Sequence, residues 1–237
     1  MQNVLITGGS RGIGAACVRV FAKKGFRVFF TYYKSNTQAQ ALAAQTGTMA
    51  IWANAADVQT PQRVLDIIHT IGSVDILINN AGVAQQKLFS DITEADWDRM
   101  FDVNIKSMFR MTQAVLPDMI HKKQGRIINL SSIWGQTGAS CEVHYSASKA
   151  AVIGFTKALA KELGLSGICV NCVAPGMVDT DMNAGLFPEE KNAVITEIPL
   201  GRAGTPAEIA ETIFFLSRPE TNYITGQVIA PNGGWEI

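Results

Sequence analysis

The chain has no charge imbalance: among its 237 residues, 20 Lys and Arg face 20 Asp and Glu. It has no basic block either, which argues against a nucleic-acid partner. No apolar run approaches the ~20 residues needed to span a bilayer. Val4–Ile6 is too short for a secretory signal and is followed at once by Thr7-Gly8-Gly9. Histidine is scarce, and no second Cys-x-x-Cys or His cluster accompanies Cys169-Val-Asn-Cys172, so a metal centre is not expected. Those two cysteines sit in the apolar run Ile168–Val173 and read as small core residues. No Pro/Gly/Ser-rich linker divides the chain. These absences predict one soluble cytoplasmic domain spanning residues 1–237, with neither membrane nor metal.

What is present is a repeated alternation of β-branched runs and helical stretches. Strands are expected at Val4–Thr7, Val28–Tyr32, Met49–Ala53, Ile76–Asn79, Arg126–Ser131, Ile168–Val173 and Gln227–Pro231. Helices are expected from Gly12 to Lys24, Thr37 to Gln45, after Pro61, Glu94 to His121, Val143 to Leu163 and Pro206 to Ser217. Strands that are apolar throughout are buried on both faces, which means a parallel sheet with helices on either side. The fold class is therefore α/β, a Rossmann-like doubly wound sheet of about seven strands. The least regular stretch, Met182–Leu200, reads as a loop inserted after the sixth strand; it includes Leu186, Phe187, Ile195 and Ile198. Ligands bind at that end of such sheets.

Thr7-Gly8-Gly9-Ser10-Arg11-Gly12-Ile13-Gly14 joins the first strand to the first helix. Glycines there permit a tight turn and let backbone N–H groups approach a pyrophosphate, with the helix N-terminus behind it. The second strand ends in Tyr33-Lys34 and carries no Asp or Glu to bind the ribose hydroxyls of NAD. Arg11 and Lys34 are instead placed to face a 2′-phosphate, which points to NADP(H).

Tyr145 and Lys149 are four residues apart on a predicted helix, hence on one face, one turn from each other. A nearby ammonium favours phenolate and lowers the tyrosine pKa, which would make the pair a general acid or base near neutral pH.

Set in order along the chain, these motifs resemble the short-chain dehydrogenase/reductase family. They are Thr7-Gly8-x-x-x-Gly12-x-Gly14, Asp57-Val58, Asn79-Asn80-Ala81-Gly82, Asn104, Ser132, Tyr145-x-x-x-Lys149 and Pro175-Gly176-x-x-x-Thr180. The resemblance covers nearly all residues and implies their roles. Asp57 would bind the adenine amino group and Val58 its ring. Asn80, Ala81 and Gly82 would support the central strand and the cofactor ribose. Val178 would meet the nicotinamide carboxamide. Tyr145 would protonate a ketone oxygen and Ser132, thirteen residues earlier, would hydrogen-bond it. Lys149 would hold the ribose and lower the tyrosine pKa. Asn104 would hold a water linking Lys149 to solvent. The helices from Glu94 and Val143 resemble those that pair between subunits, implying a homodimer or homotetramer.

Within the family, Gly125-Arg-Ile-Ile128, Ile198-Pro-Leu-Gly-Arg202 and Tyr223-Ile-Thr-Gly226 resemble the 3-oxoacyl-[acyl-carrier-protein] reductases of fatty acid synthesis. That implies a 3-oxoacyl thioester substrate and acyl carrier protein as a partner, docked in part by Lys122, Lys123 and Arg126. The chain departs from that branch at Glu142-Val143-His144, where a Gln-x-Asn triplet is usual, and at Ser166, where a basic residue is usual. Ser132-Ile-Trp-Gly135 and Gly138–Val143 resemble reductases of the aminopentanone modification on elongation factor P, and Glu142 would suit an amine-bearing substrate. Another small-molecule ketone is the remaining substrate alternative, and a binding module that senses NADP(H) without chemistry is the non-enzymatic one. The complete set of Asn104, Ser132, Tyr145 and Lys149 argues against it, because a sensor needs no proton donor.

Overall fold

In the computed structural model, which describes residues 1–183, 185 and 187–236, strands and helices alternate along the chain. The first half runs β1 (Asn3–Ile6), α1 (Gly12–Lys23), β2 (Arg27–Tyr32), α2 (Asn36–Thr46), β3 (Met49–Trp52), α3 (Thr60–His69) and β4 (Ile76–Asn79). The second half runs α4 (Glu94–Phe101), α5 (Ser107–Lys122), β5 (Gly125–Leu130), the short α6 (Trp134–Thr137), α7 (Val143–Leu163), β6 (Ile168–Val173), α8 (Pro188–Glu197), α9 (Pro206–Ser217) and β7 (Val228–Ile229).

The strands form one sheet in the order β3-β2-β1-β4-β5-β6-β7, and every pairing is parallel. Strand order reverses between β1 and β4, which opens a crevice at the carboxyl ends of the strands. Alternate side chains of the central strands feed two large cores, one on each face. Val4, Ile6, Phe30, Ile78 and Ile128 pack with α1 and α9 through Phe21, Ile209 and Ile213. Leu5, Phe29, Leu77 and Ile127 pack with α3, α5 and α7 through Ile68, Met119 and Leu163. Each such fully buried side chain contributes about 1.5–3 kcal/mol relative to exposure. Cys169 and Cys172 are free and buried, as core residues should be.

A polar ladder also crosses the second core. Asn79 Nδ2 donates to Thr112 Oγ1 (3.0 Å) and to Asn129 Oδ1 (2.9 Å), and Asn129 Nδ2 donates to Thr156 Oγ1 (2.9 Å). These bonds tie β4 and β5 to α5 and α7 and fix their relative heights.

The structure differs from the sequence expectation in two places that matter for the site. The single helix expected from Glu94 to His121 is interrupted by a π-helical segment, Asp102–Lys106. Its cause lies in Asn104, whose Oδ1 accepts from Val83 N (2.8 Å) while its Nδ2 donates to Val83 O (3.0 Å). The side chain holds the backbone of another segment, and the helix accommodates one wider turn there. The stretch Met182–Leu200 is not a simple loop: Pro188 starts α8, where proline is tolerated. Ala184 and Leu186 in that stretch lie outside the described residues.

Candidate active site

The glycine turn is shaped by what cannot be accommodated. A Cβ on Gly9 would lie 2.5 Å from Phe30 Cβ, and one on Gly14 would lie 2.2 Å from Gly8 O. Gly8 has φ +67° and Gly12 φ +53°, the left-handed region that other residues avoid. Thr7 anchors the turn from below: its Oγ1 accepts from Asn80 N and Ala81 N, both at 3.0 Å. Asn80 Nδ2 donates to Thr7 O (3.0 Å) and Gly8 O (2.9 Å), so β4's end and the turn form one rigid piece. Helix α1 begins at Gly12 with no side-chain cap from Arg11. Its first N–H groups therefore point out of the turn without a side-chain acceptor, which suits a phosphate. This cradle fits a dinucleotide pyrophosphate.

Ser10 flanks this turn, and Arg11 stands exposed beside it. Thr180 closes over it, with its Cγ2 3.5 Å from where a Gly12 Cβ would be. Tyr33 and Lys34 are exposed at the end of β2, where the Tyr33 ring lies 5.9 Å from that of Trp52. Val58 is exposed and Asp57 is engaged: its carboxylate accepts from Gln59 N (2.9 Å) and pairs with Arg63 (2.9 Å). Those contacts, the Gln59 N–H first, hold the Asp57 carboxyl below its ordinary pKa.

A cavity of about 400 Å³ opens beyond the turn at the carboxyl ends of β5 and β6. Ile13, Ser132, Tyr145, Pro175, Gly176, Val178 and Thr180 all line it. Tyr33, Lys34, Asp57 and Val58 do not; they lie along the β2 and β3 side of the crevice. Lys149 stands behind the cavity, buried, with Nζ donating to Leu130 O (2.8 Å) and 5.7 Å from the centre of the Tyr145 ring. Gly82 brings Lys149 and Asn104 to one point: a Cβ there would lie 3.3 Å from Asn104 Oδ1 and 3.5 Å from Lys149 Nζ. Asn104 Nδ2 also donates to Ser148 Oγ (3.0 Å), whose hydroxyl donates to Tyr145 O (2.7 Å). Helix α7 is thus held on the π-segment at Ser148, next to Lys149 and one turn from Tyr145. Trp134 N donates to Ser132 Oγ (3.2 Å), which aims that hydroxyl.

The electrostatics correct one expectation. The Tyr145 phenol is pushed up to about 12, because burial outweighs the hydrogen bond from Ser132, and the carboxylate of Glu142 adds to the rise. The Lys149 amine is pushed down to about 8 by burial. The ammonium lies over the ring face, and desolvation is the largest cause of both shifts. The phenol is therefore the protonated, donating form at neutral pH.

Of the basic patch expected at Lys122, Lys123 and Arg126, the two lysines are exposed and the arginine is not. Arg126 is buried and bonded to Asn222 and to Gly125 O, and Lys122 pairs with Asp75 at 2.7 Å. All three lie at the amino end of β5, opposite the end at which the cavity opens.

Gln85, Met177 and Trp235 line the cavity without belonging to any motif. Trp235 meets Trp134 edge to face, with ring centroids 4.9 Å apart. Trp235 lies after the last strand; its Nε1 donates to Glu197 Oε2 (3.1 Å) and ties the chain end to α8. No local pattern marks that return to the cavity.

Residues 8–236 match the family model described as enoyl-(acyl carrier protein) reductase. The chain belongs to the short-chain dehydrogenase/reductase family. As a member it is an oxidoreductase acting on CH–OH groups. Among its short-chain dehydrogenase/reductase relatives is a 3-oxoacyl-[acyl-carrier-protein] reductase FabG of Vibrio cholerae. It is 41% identical over 234 residues, covering 97% of this chain and 95% of that protein. The FabG protein of Staphylococcus aureus is 39% identical over 239 residues, covering 98% and 97% respectively. That of Chlamydia muridarum is 39% identical over 237 residues, covering 97% and 95%.

Proposed function

We propose that the chain reduces the ketone of a 3-oxoacyl thioester to a secondary alcohol, with NADPH as the preferred dinucleotide. The observation that carries this reading is a buried, protonated Tyr145 beside Ser132 on the wall of a cavity adjoining the glycine cradle. The FabG relatives support the substrate class. The dinucleotide, when bound, supplies the hydride that reaches the carbonyl carbon. The phenol of Tyr145 donates its proton to the carbonyl oxygen, and the Ser132 hydroxyl hydrogen-bonds the same oxygen as charge develops on it. Lys149, beside the tyrosine ring, holds the ribose and relays the replacement proton, with Asn104 leading that relay toward solvent. Arg11 and Lys34 support a 2′-phosphate, since no acid ends β2. Asp57 would accept from the adenine amino group, its carboxylate keeping acceptor sites beyond those used by Gln59 and Arg63, and Val58 would meet the ring. Ser10, Ile13, Pro175, Gly176, Val178 and Thr180 frame the path between the phosphates and the nicotinamide.

Two further expectations stand as part of this reading. Exposed Trp97, Phe109 and Val143 on α4, α5 and α7 support pairing of those helices between subunits, which light scattering in solution tests. Acyl carrier protein is the expected substrate carrier, with exposed Lys122 and Lys123 as its expected basic contacts.

A second reading follows from Glu142, which lines the cavity with its pKa raised by burial. A carboxylate in that position suits a ketone that bears an amine. One experiment separates the readings. NADPH oxidation is followed with acetoacetyl thioester, an amino-ketone and an enoyl thioester. Fastest turnover of the first carries the proposal, fastest turnover of the second moves it to the amine-bearing class, and turnover of the third alone overturns carbonyl reduction.

A further inference from the structure

One chain of hydrogen bonds beside the cavity has no part in the reading above. His144, directly before Tyr145, is fully buried, and its Nε2 lies 3.0 Å from Gln85 Oε1. Gln85 Nε2 lies 3.2 Å from Asp96 Oδ1. Asp96 Oδ2 accepts from Lys87 Nζ (2.7 Å), from Thr93 N (3.1 Å) and from Thr93 Oγ1 (2.8 Å).

The acidic end dictates the direction of every bond. The Lys87 ammonium, then the Thr93 groups, hold the Asp96 carboxyl well below the usual range, so it is ionised and only accepts. Gln85 must therefore turn its NH₂ toward Asp96 and its oxygen toward His144. The imidazole must then donate through Nε2, and Nδ1 is left as a bare acceptor. Nδ1 is buried and has no partner among the described residues, as this assignment requires. Burial also pushes the His144 pKa down, so the ring is neutral. The amide of Gln85 is gripped at both ends and cannot flip. It nevertheless lines the cavity together with Ser132 and Tyr145, and its contacts leave it a second N–H.

We infer that Gln85 is a substrate-binding residue, donating that N–H to an acceptor on the substrate set apart from the ketone being reduced, and that His144 is its positioning residue. The substrate class is a ketone carrying a second carbonyl or similar acceptor, such as the thioester carbonyl of a 3-oxoacyl group. A donor locked in advance loses no rotamer freedom on binding, which is the benefit the buried histidine provides.

This inference rests on the ketone-reductase reading, and its test tells the two apart. Steady-state kinetics with acetoacetyl thioester are measured for Gln85→Ala, His144→Ala, the double variant and His144→Gln. Gln85→Ala is expected to raise the KM for the thioester about tenfold, the loss of one hydrogen bond to a binding group. Its kcat and its KM for NADPH should change less than twofold. His144→Ala should move the same constant in the same direction. The double variant should be no worse than Gln85→Ala, because His144 acts through Gln85. His144→Gln, which restores a donor, should recover part of the loss. A wild-type thioester KM in Gln85→Ala overturns the inference and leaves the reading intact; additive losses in the double variant overturn the role of His144. Gln85 is only half-buried in its loop, so this variant remains informative even if His144→Ala does not fold. Absence of any ketone turnover by the wild type overturns both.

Discussion

The β1–β2 side of the crevice and the β5–α7 side solve different problems. The first is built from backbone and missing atoms: Gly9 and Gly14 have no room for a Cβ, and α1 begins without a side-chain cap. The second is built from ionisable side chains taken out of water, with Tyr145 and Lys149 both shifted toward their neutral forms. The one side offers shape and partial charges to an anion, and the other offers a proton held at the edge of a cavity. A substitution on the glycine side should therefore act on folding and cofactor affinity, and one on the α7 side on the chemical step.

The largest expected effect tests the α7 side. Tyr145→Phe should cut turnover of a good ketone by ~10²–10⁴-fold, the usual yield of general acid catalysis, while NADPH affinity by fluorescence titration stays near wild type. Turnover close to wild type would remove the proton donor from the mechanism. On the glycine side, Gly14→Ala would place a methyl 2.2 Å from Gly8 O, where backbone rather than a flexible side chain must yield. Urea unfolding should show a loss of about 1–3 kcal/mol, the cost of overpacking, together with weaker dinucleotide binding. Unchanged stability would mean that the turn is looser than its packing indicates. A smaller effect is expected from Arg11→Ala, which should raise the KM for NADPH about tenfold more than that for NADH, or about 1.4 kcal/mol. Equal changes for both would remove Arg11 from the 2′-phosphate argument.

A further effect is a slope with pH. Lys149 falls from its ordinary 10.5 to about 8, so between those values the unfolded chain binds the extra proton and stability rises with pH. Tyr145 rises from 10.0 to about 12, so above pH 10 the folded chain keeps a proton that the unfolded one loses, and stability falls. Urea midpoints of wild type and Lys149→Met between pH 7.5 and 10 should converge toward the alkaline end, as the penalty for burying the ammonium disappears. Parallel profiles would show that Lys149 gives up no proton in that window.

Much of this architecture is legible along the chain because its signals are local. Apolar runs such as Ile76–Asn79 and Ile168–Val173 were expected as strands with the ends they have, and Val143–Leu163 as the helix it forms. The π-segment at Asn104 was not legible, since its cause is a pair of bonds to Val83, twenty-one residues away. α8 was hidden because its sequence, Pro188-Glu-Glu-Lys-Asn-Ala-Val, carries no clear apolar period. Trp235 and Gln85 escaped notice for a related reason. Each becomes part of the cavity wall through contacts with distant elements, Trp134 and Glu197 for one and His144 and Asp96 for the other.

Spacing and order along the chain were enough for the parallel α/β fold, the glycine cradle and the Tyr145–Lys149 pair, because the helical and extended repeats place neighbours without help from the rest of the molecule. Protonation was another matter. The sequence pairing implied a tyrosine made more acidic by its lysine, whereas the folded chain buries both and holds the phenol protonated. Burial also makes Arg126 a structural residue instead of a docking one, and the chain through Gln85 to Asp96 gives His144 its direction. Desolvation depends on everything packed around a group, and that is set only when the sheet, its helices and the chain end have come together.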